Sequence, residues 1–277
     1  MRYAICNEMF GSLNFGETCR LIAAHGFRGV EIAPFTLFED AEKVGREKMR
    51  EIRRLIRESG LEFVGFHWLL RSPEGLHITT PQRAARERSW VHMRRLVDLA
   101  GELGGGVLVL GSPKQRSAAG IPVAQAVGYL REGLSELADF AAARSSTLLI
   151  EALSRDQTDV ITSLAECEEL VRAVGKPGLA SMFDFHNCAG DPLAWEQLLL
   201  RYYPVIRHVH LNEVNGSYPG SGSSDFGPAF ASLAELGYGG WVSLEIFHQP
   251  EDCILVLRAV RSFLSTMEKR CGFTPSP

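Results

Sequence analysis

The sequence predicts a single (β/α)8 TIM barrel over residues 1–277, and three observations carry that expectation. Short runs rich in Val, Ile, Leu and Phe recur eight times, each followed by a longer amphipathic stretch. Strands that alternate with helices in this way pair in parallel, and eight such units close a barrel. Several helical stretches end at glycine (AAHG, RESG, RAVG, AELG), the residue suited to the left-handed conformation past a helix end. No GxGxxG follows the first strand, so the fingerprint expected of the alternative, a doubly wound open sheet, is missing.

The elements follow in order. RYAIC (2–6) reads as the first strand, with a helix over 15–25, and GVEIA (29–33) as the second, with a helix over 41–59. EFVGF (62–66) is followed by a helical pattern over 81–103, and GVLVL (106–110) by one over 122–144. TLLIE (147–151) leads to 162–174, ASMFD (180–184) to 192–202, RHVHL (207–211) to 226–236 and WVSLE (241–245) to 251–269. VNGSYPGSGSSD (214–225), after the seventh strand, is the one markedly loop-like stretch, and residues 270–277 read as a flexible tail.

Composition narrows the function. The chain is 45% hydrophobic with a net charge of −4 and a pI near 6.1, a balance with no general attraction for nucleic acid or an anionic membrane. The basic run TPQRAARERSW (80–90) falls on a helix start and reads as a solvated face. Six scattered cysteines without a CxxC argue against a disulfide framework or a zinc knuckle and for a reducing compartment. With neither a signal peptide at the N-terminus nor an apolar run of about 18 residues, the expected location is the cytoplasm.

In such barrels chemistry gathers at the C-terminal ends of the strands. Glu151, Asp184 and Glu245 end strands five, six and eight, and His210 holds the last inward position of strand seven. Within HVHLNE (208–213), alternation puts His208 on the same face as His210 but one layer deeper, where a hydrogen-bonded core histidine is the simpler reading. Three carboxylates at one rim repel each other unless a cation neutralises them. With one imidazole they form a fairly hard, oxygen-rich set suited to Mn²⁺ first, then Mg²⁺ or Co²⁺, with Zn²⁺ a weaker match.

Around that rim, GSPKQR (111–116) offers Lys114 and Arg116 after strand four, and Arg155 follows strand five; they read either as a solvated basic turn or as an anchor for a substrate phosphate or carboxylate. After strand three, His67 is a candidate contact for a sugar hydroxyl and Trp68 a hydrophobic wall. Glu8 and Glu31, near strands one and two, are candidates to bind hydroxyls or to pair with arginines.

IEALSR (150–155), MFDFHN (182–187), HVHLNE (208–213), PGSG (219–222) and SLEIF (243–247), in this order, resemble the xylose-isomerase-like superfamily, in particular its sugar phosphate isomerase/epimerase group with the ketose 3-epimerases. The resemblance implies that Glu151, Asp184, His210 and Glu245 bind the metal. It implies further that Glu151 and Glu245 exchange protons with a carbohydrate through an enediolate, and that the protein is a homo-oligomer, dimer or tetramer. Three positions depart from the group's pattern. Its His stands three residues after the metal Asp, whereas His186 comes two after and, on a continuing strand, would point the same way as Asp184. Its Arg after the metal His is replaced by Gly216, and its second Glu after Glu151 by Gln157. The same superfamily contains dehydratases, which the same metal and glutamate would serve, and a DNA-repair endonuclease, which would need more histidines and a basic groove. A barrel that binds sugar or metal without turnover is the non-enzymatic alternative.

Overall fold

In a computed structural model, which describes residues 1–273, eight strands form one closed barrel in sequence order. They are β1 (Arg2–Cys6), β2 (Gly29–Ile32), β3 (Glu62–Phe66), β4 (Val107–Leu110), β5 (Thr147–Ile150), β6 (Leu179–Asp184), β7 (Ile206–Leu211) and β8 (Trp241–Leu244). All neighbours pair in parallel, and β1 closes on β8 in the register Arg2↔Trp241 to Ile5↔Leu244. Eight helices wrap the outside: α1 (Phe15–Ala24), α2 (Arg46–Glu58), α3 (Arg83–Leu103), α4 (Val123–Ala142), α5 (Leu164–Val174), α6 (Trp195–Tyr202), α7 (Gly227–Glu235) and α8 (Cys253–Cys271).

Alternation along each strand divides the molecule. Outward residues such as Ile5, Leu110, Ile150, Phe183 and Leu211 pack beneath the helices in one large core. Each such side chain removed from water contributes about 1.5–3 kcal/mol. Inward residues form two small apolar plugs, Ala4 with Val64 and Trp241, and Val109 with Leu149, Ala180 and Met182. These occupy part of the barrel interior, and Val109 also reaches the cleft at the strand C-terminal end.

Local chemistry explains most boundaries. Ser163 caps α5 by accepting from the Glu166 amide (3.2 Å), and Asp252 caps α8 by accepting from Ile254 and Leu255 (2.9 and 3.0 Å). Gly26, Gly60, Gly175 and Gly237, at the helix ends, all take positive φ. Two expectations are corrected. The stretch 41–59 is not one helix: Asp40 caps a short 3-10 turn at Ala41–Lys43, and α2 starts afresh after Gly45. The tail does not begin at residue 270, because α8 runs through Cys271 and Phe273 stacks on Phe230 at 6.2 Å; residues 274–277 lie outside the described residues. The six cysteines are unpaired. No helix among the described residues is long and apolar enough to cross a membrane.

Candidate active site

Glu151 and Glu245 each stand one residue beyond their strands, Asp184 ends β6, and His210 lies one residue before the end of β7. The register sets Asp184 level with His210, while His210↔Ser243 places Glu245 two residues further along its strand. One ligand atom from each of Glu151, Asp184, His210 and Glu245 lies within 4.8 Å of all the others, and all four residues are buried. His210 Nδ1 points into this group, 3.0 Å from Glu245 Oε2 and 3.9 Å from Asp184 Oδ2, yet it has no aligned hydrogen-bond partner.

The opposite edge of the same ring is fully engaged. His210 Nε2 lies 2.9 Å from Glu31 Oε1, and Glu31 Oε2 lies 2.8 Å from His208 Nε2. A carboxylate at Nε2 favours the proton on that nitrogen and leaves the Nδ1 lone pair free, the arrangement that prepares a histidine for a metal. Burial alone would raise the Glu31 carboxyl, but His208 and His210 hold it well below the usual range. Burial would likewise depress His210, yet Glu31 and Glu245 raise it well above an ordinary histidine. His208 itself is pushed down by burial, against the pull of Glu31.

The three rim carboxylates differ sharply. Burial, then the charges of Asp184 and Glu245, push Glu151 up to about 8. Burial and Glu245 push Asp184 up to about 6. For Glu245, burial also acts upward, but the neighbouring His210 outweighs it and holds the group below its ordinary value. Without a cation the cluster must keep protons that three nearby anions would otherwise shed. Three oxygen donors, one unpartnered imidazole nitrogen and this strained charge balance fit a divalent cation of the harder kind.

Each carboxylate is also held by a neutral donor. Asn187 Nδ2 donates to Glu151 Oε1 (2.9 Å), and the Asn187 backbone N–H donates to Asp184 Oδ1 (2.7 Å). Asn212 Nδ2 donates to Asp184 Oδ2 (2.9 Å), and Trp68 Nε1 to Glu245 Oε1 (3.0 Å). Gln157 fixes Asn187 by donating to its Oδ1 (2.8 Å). Gly111 lacks a side chain where a Cβ would collide with Glu151 Oε2, so the free oxygen of Glu151 depends on a glycine there.

Above the cluster opens a narrow cleft lined by both polar and apolar side chains. Of the residues singled out in the sequence, His67, Trp68, Gln157, Glu151, His210 and Glu245 line it. Asp184 is not among the lining residues, and Glu8 Oε2 accepts from His67 Nε2 (2.9 Å).

Five further candidates named from the sequence do not line this cleft. His186 does not follow Asp184 along the strand, because the chain turns after β6: the Asn212 side chain accepts from the His186 amide (2.8 Å), and His186 Nδ1 sits 2.6 Å from Val214 O. Asn187, three residues after Asp184, enters the cavity instead. Arg116 is no rim anchor; it is buried, its Nη2 donates to the Glu151 carbonyl (2.9 Å), and burial lowers it to about 10. Lys114 and Arg155 are exposed and do not line the cavity. Glu31, fully buried between two histidines, cannot reach a hydroxyl there.

Sequence reasoning missed Asn187, Asn212, Gly111 and Phe247. The first two lie inside the quoted motifs MFDFHN and HVHLNE, but which asparagine turns inward depends on where the strand ends. Gly216 explains the missing arginine locally: it sits at φ 76° with the Phe247 ring 2.6 Å from where a Cβ would stand. Glu213 is buried and accepts from the amides of Gly220 and Gly222 (3.3 and 3.2 Å) and from Ser224, ordering the Gly/Ser-rich loop.

Comparison with known proteins places this site in context. Residues 19–263 match the family pattern described as xylose isomerase-like TIM barrel. A D-psicose 3-epimerase of Agrobacterium fabrum is 25% identical over 244 residues, 85% of this chain and 80% of that enzyme. A 3-dehydroshikimate dehydratase of Pseudomonas aeruginosa is 29% identical over 245 residues, 84% of this chain but only 36% of that longer protein. Among solved structures, a D-psicose 3-epimerase in the presence of D-fructose shares the fold with a TM-score of 0.84 at 20% identity, covering 98% of this chain and all of that one.

Proposed function

The chain belongs to the xylose isomerase-like TIM barrel family, and from that membership and the site geometry we propose that it is a divalent-metal-dependent epimerase or isomerase of a carbohydrate. The observation that carries this reading is the convergence of Glu151, Asp184, His210 and Glu245, one ligand atom from each within 4.8 Å of the others, with three of the four lining a cleft at the barrel mouth. These four would hold the cation, with Mn²⁺ the first expectation. Bound there, it would polarise a carbonyl and its neighbouring hydroxyl and make the intervening C–H acidic.

The chain's own residues supply the rest. Glu151 and Glu245 reach the cavity from strands three apart around the barrel, so they approach a bound sugar from different sides. In this reading one removes the carbon-bound proton to give an enediolate and the other returns a proton from the far side. Asn187 and Trp68 each occupy one oxygen of a glutamate and thereby orient the other. His67 and Gln157 offer polar contacts to hydroxyls, while Leu153, Val109 and Phe247 exclude water. No lysine or arginine lines the cavity among the described residues, which favours an uncharged sugar over a phosphate or acid.

Incubation with Mn²⁺ and a ketose panel in D₂O tests this, with hydrogen exchange next to the carbonyl read by NMR. Wild type should exchange, and Glu151→Gln or Glu245→Gln should stop it while remaining folded. Normal exchange in both variants would remove their acid/base role. A second reading, a dehydratase, is favoured by the similarity to the 3-dehydroshikimate dehydratase. There the same proton loss would expel a β-hydroxyl, and an unsaturated product in the same spectra would select it.

A further inference from the structure

We propose that the substrate is longer than one sugar ring, and that a second, uncharged glycosyl unit binds in the cavity lined by Phe35, Trp68, Phe247 and Glu8. This rests on the carbohydrate reading above. Two cavities meet at the rim. The reaction cleft shares both Trp68 and Phe247 with a larger, more open neighbour. Those two rings are therefore the common wall of both spaces.

The neighbouring cavity has the chemistry of a sugar subsite. Its floor is Met9 and Ile246, both buried, and Phe35 stands at its side under the Arg71 guanidinium, 5.7 Å from the ring centroid. Aromatic faces of this kind pack against the apolar face of a pyranose. Phe247 is 38% exposed, a large ring with one side uncovered by protein. Glu8 adds a specific acceptor. Its Oε2 is tied to His67, while Oε1 is buried without any hydrogen-bond partner. A buried carboxylate oxygen left unpaired costs free energy that a donated hydroxyl would recover.

Two further features choose the occupant. Trp68 holds φ 53°, an uncommon conformation for a bulky residue, and its indole is pinned to Glu245. The ring is thus set in one orientation between the two spaces instead of being free to fill either. Glu8 and the apolar floor disfavour an anion beside Trp68, and the single guanidinium, Arg71, is stacked over the Phe35 ring (5.7 Å). Arg71 and Gln249, at the edge of the cavity, are left as donors to outer hydroxyls.

The Mn²⁺-loaded protein is given D-fructose, its 5- and 6-linked glucosides leucrose and isomaltulose, and D-fructose 6-phosphate. Exchange at C3 gives kcat/KM, and calorimetry gives binding in parallel. At least one glucoside should exceed D-fructose by about tenfold, equivalent to about 1.4 kcal/mol. Phe35→Ala should lower that glucoside about tenfold more than it lowers D-fructose. Equal values for sugar and glucosides, a larger gain for the phosphate, or a uniform loss in Phe35→Ala would each overturn the subsite. Tighter binding of a glucoside without any exchange would keep the subsite and remove the epimerase reading; exchange without glucoside preference would do the reverse.

Discussion

The two sides of the rim solve the same electrostatic problem in opposite ways. On the β5–β6 side, Glu151 meets other carboxylates and the neutral amides of Asn187 and Gln157, and its pKa climbs to about 8. On the β7–β8 side, Glu245 lies against His210, which Glu31 raises from behind, and its pKa falls. Identical carboxyl groups, both buried, thus diverge through their neighbours alone. The lesson is that neighbours, not burial, set the two carboxyl groups apart, the one raised and the other lowered.

The largest test removes either pole. Glu151→Gln and Glu245→Gln should each cost about 10³-fold in exchange, within the range of general acid–base groups, with circular dichroism unchanged. If only one matters, the two sides are not partners in one reaction.

Glu31→Gln probes the ionic side without touching the cavity. It should weaken Mn²⁺ binding about 10–100-fold by calorimetry, since the residue directs the His210 lone pair. Unaltered affinity would mean that Glu31 merely fills the barrel.

Titrating the metal-free protein separates the sides further. Glu151 is raised, so between about 4.5 and about 8 the folded state holds a proton that the unfolded chain has lost. Stability should therefore decline as pH rises through that window, by up to about 1.4 kcal/mol per pH unit for this one group. Thermal unfolding of Glu151→Gln should show a flatter profile, and Mn²⁺ should bind more tightly as pH rises. A wild-type slope matching the variant's would place the proton elsewhere. The smallest effect is expected from Lys114→Ala, less than about twofold on any substrate and within about 0.5 kcal/mol in stability, because the side chain stands outside the cavity. A selective loss with anionic substrates would restore it as an anchor.

Much of this was legible beforehand. Hydrophobic runs and helix-ending glycines foretold the barrel, and the four rim positions followed from strand ends. His208 was rightly placed as a deeper, hydrogen-bonded histidine. What failed was local. His186 was aimed by extending a strand that stops at Asp184, and Arg116 was sent to the surface by its charge although its Nη2 hydrogen bond holds it beneath Glu151.

The order and spacing of apolar runs, a property of the chain alone, determined that eight staves would pair in parallel and which acidic residues would crown them, since side-chain direction alternates once a strand exists. Only the closed barrel decided which amide meets which carboxylate. Asn187 reaches Glu151 across 36 residues from the turn after the adjacent strand, and Glu31 reaches His210 across 179 because closure sets β2 facing β7 across the interior. Charge and proton placement belong to those contacts, so they emerge only in the folded barrel.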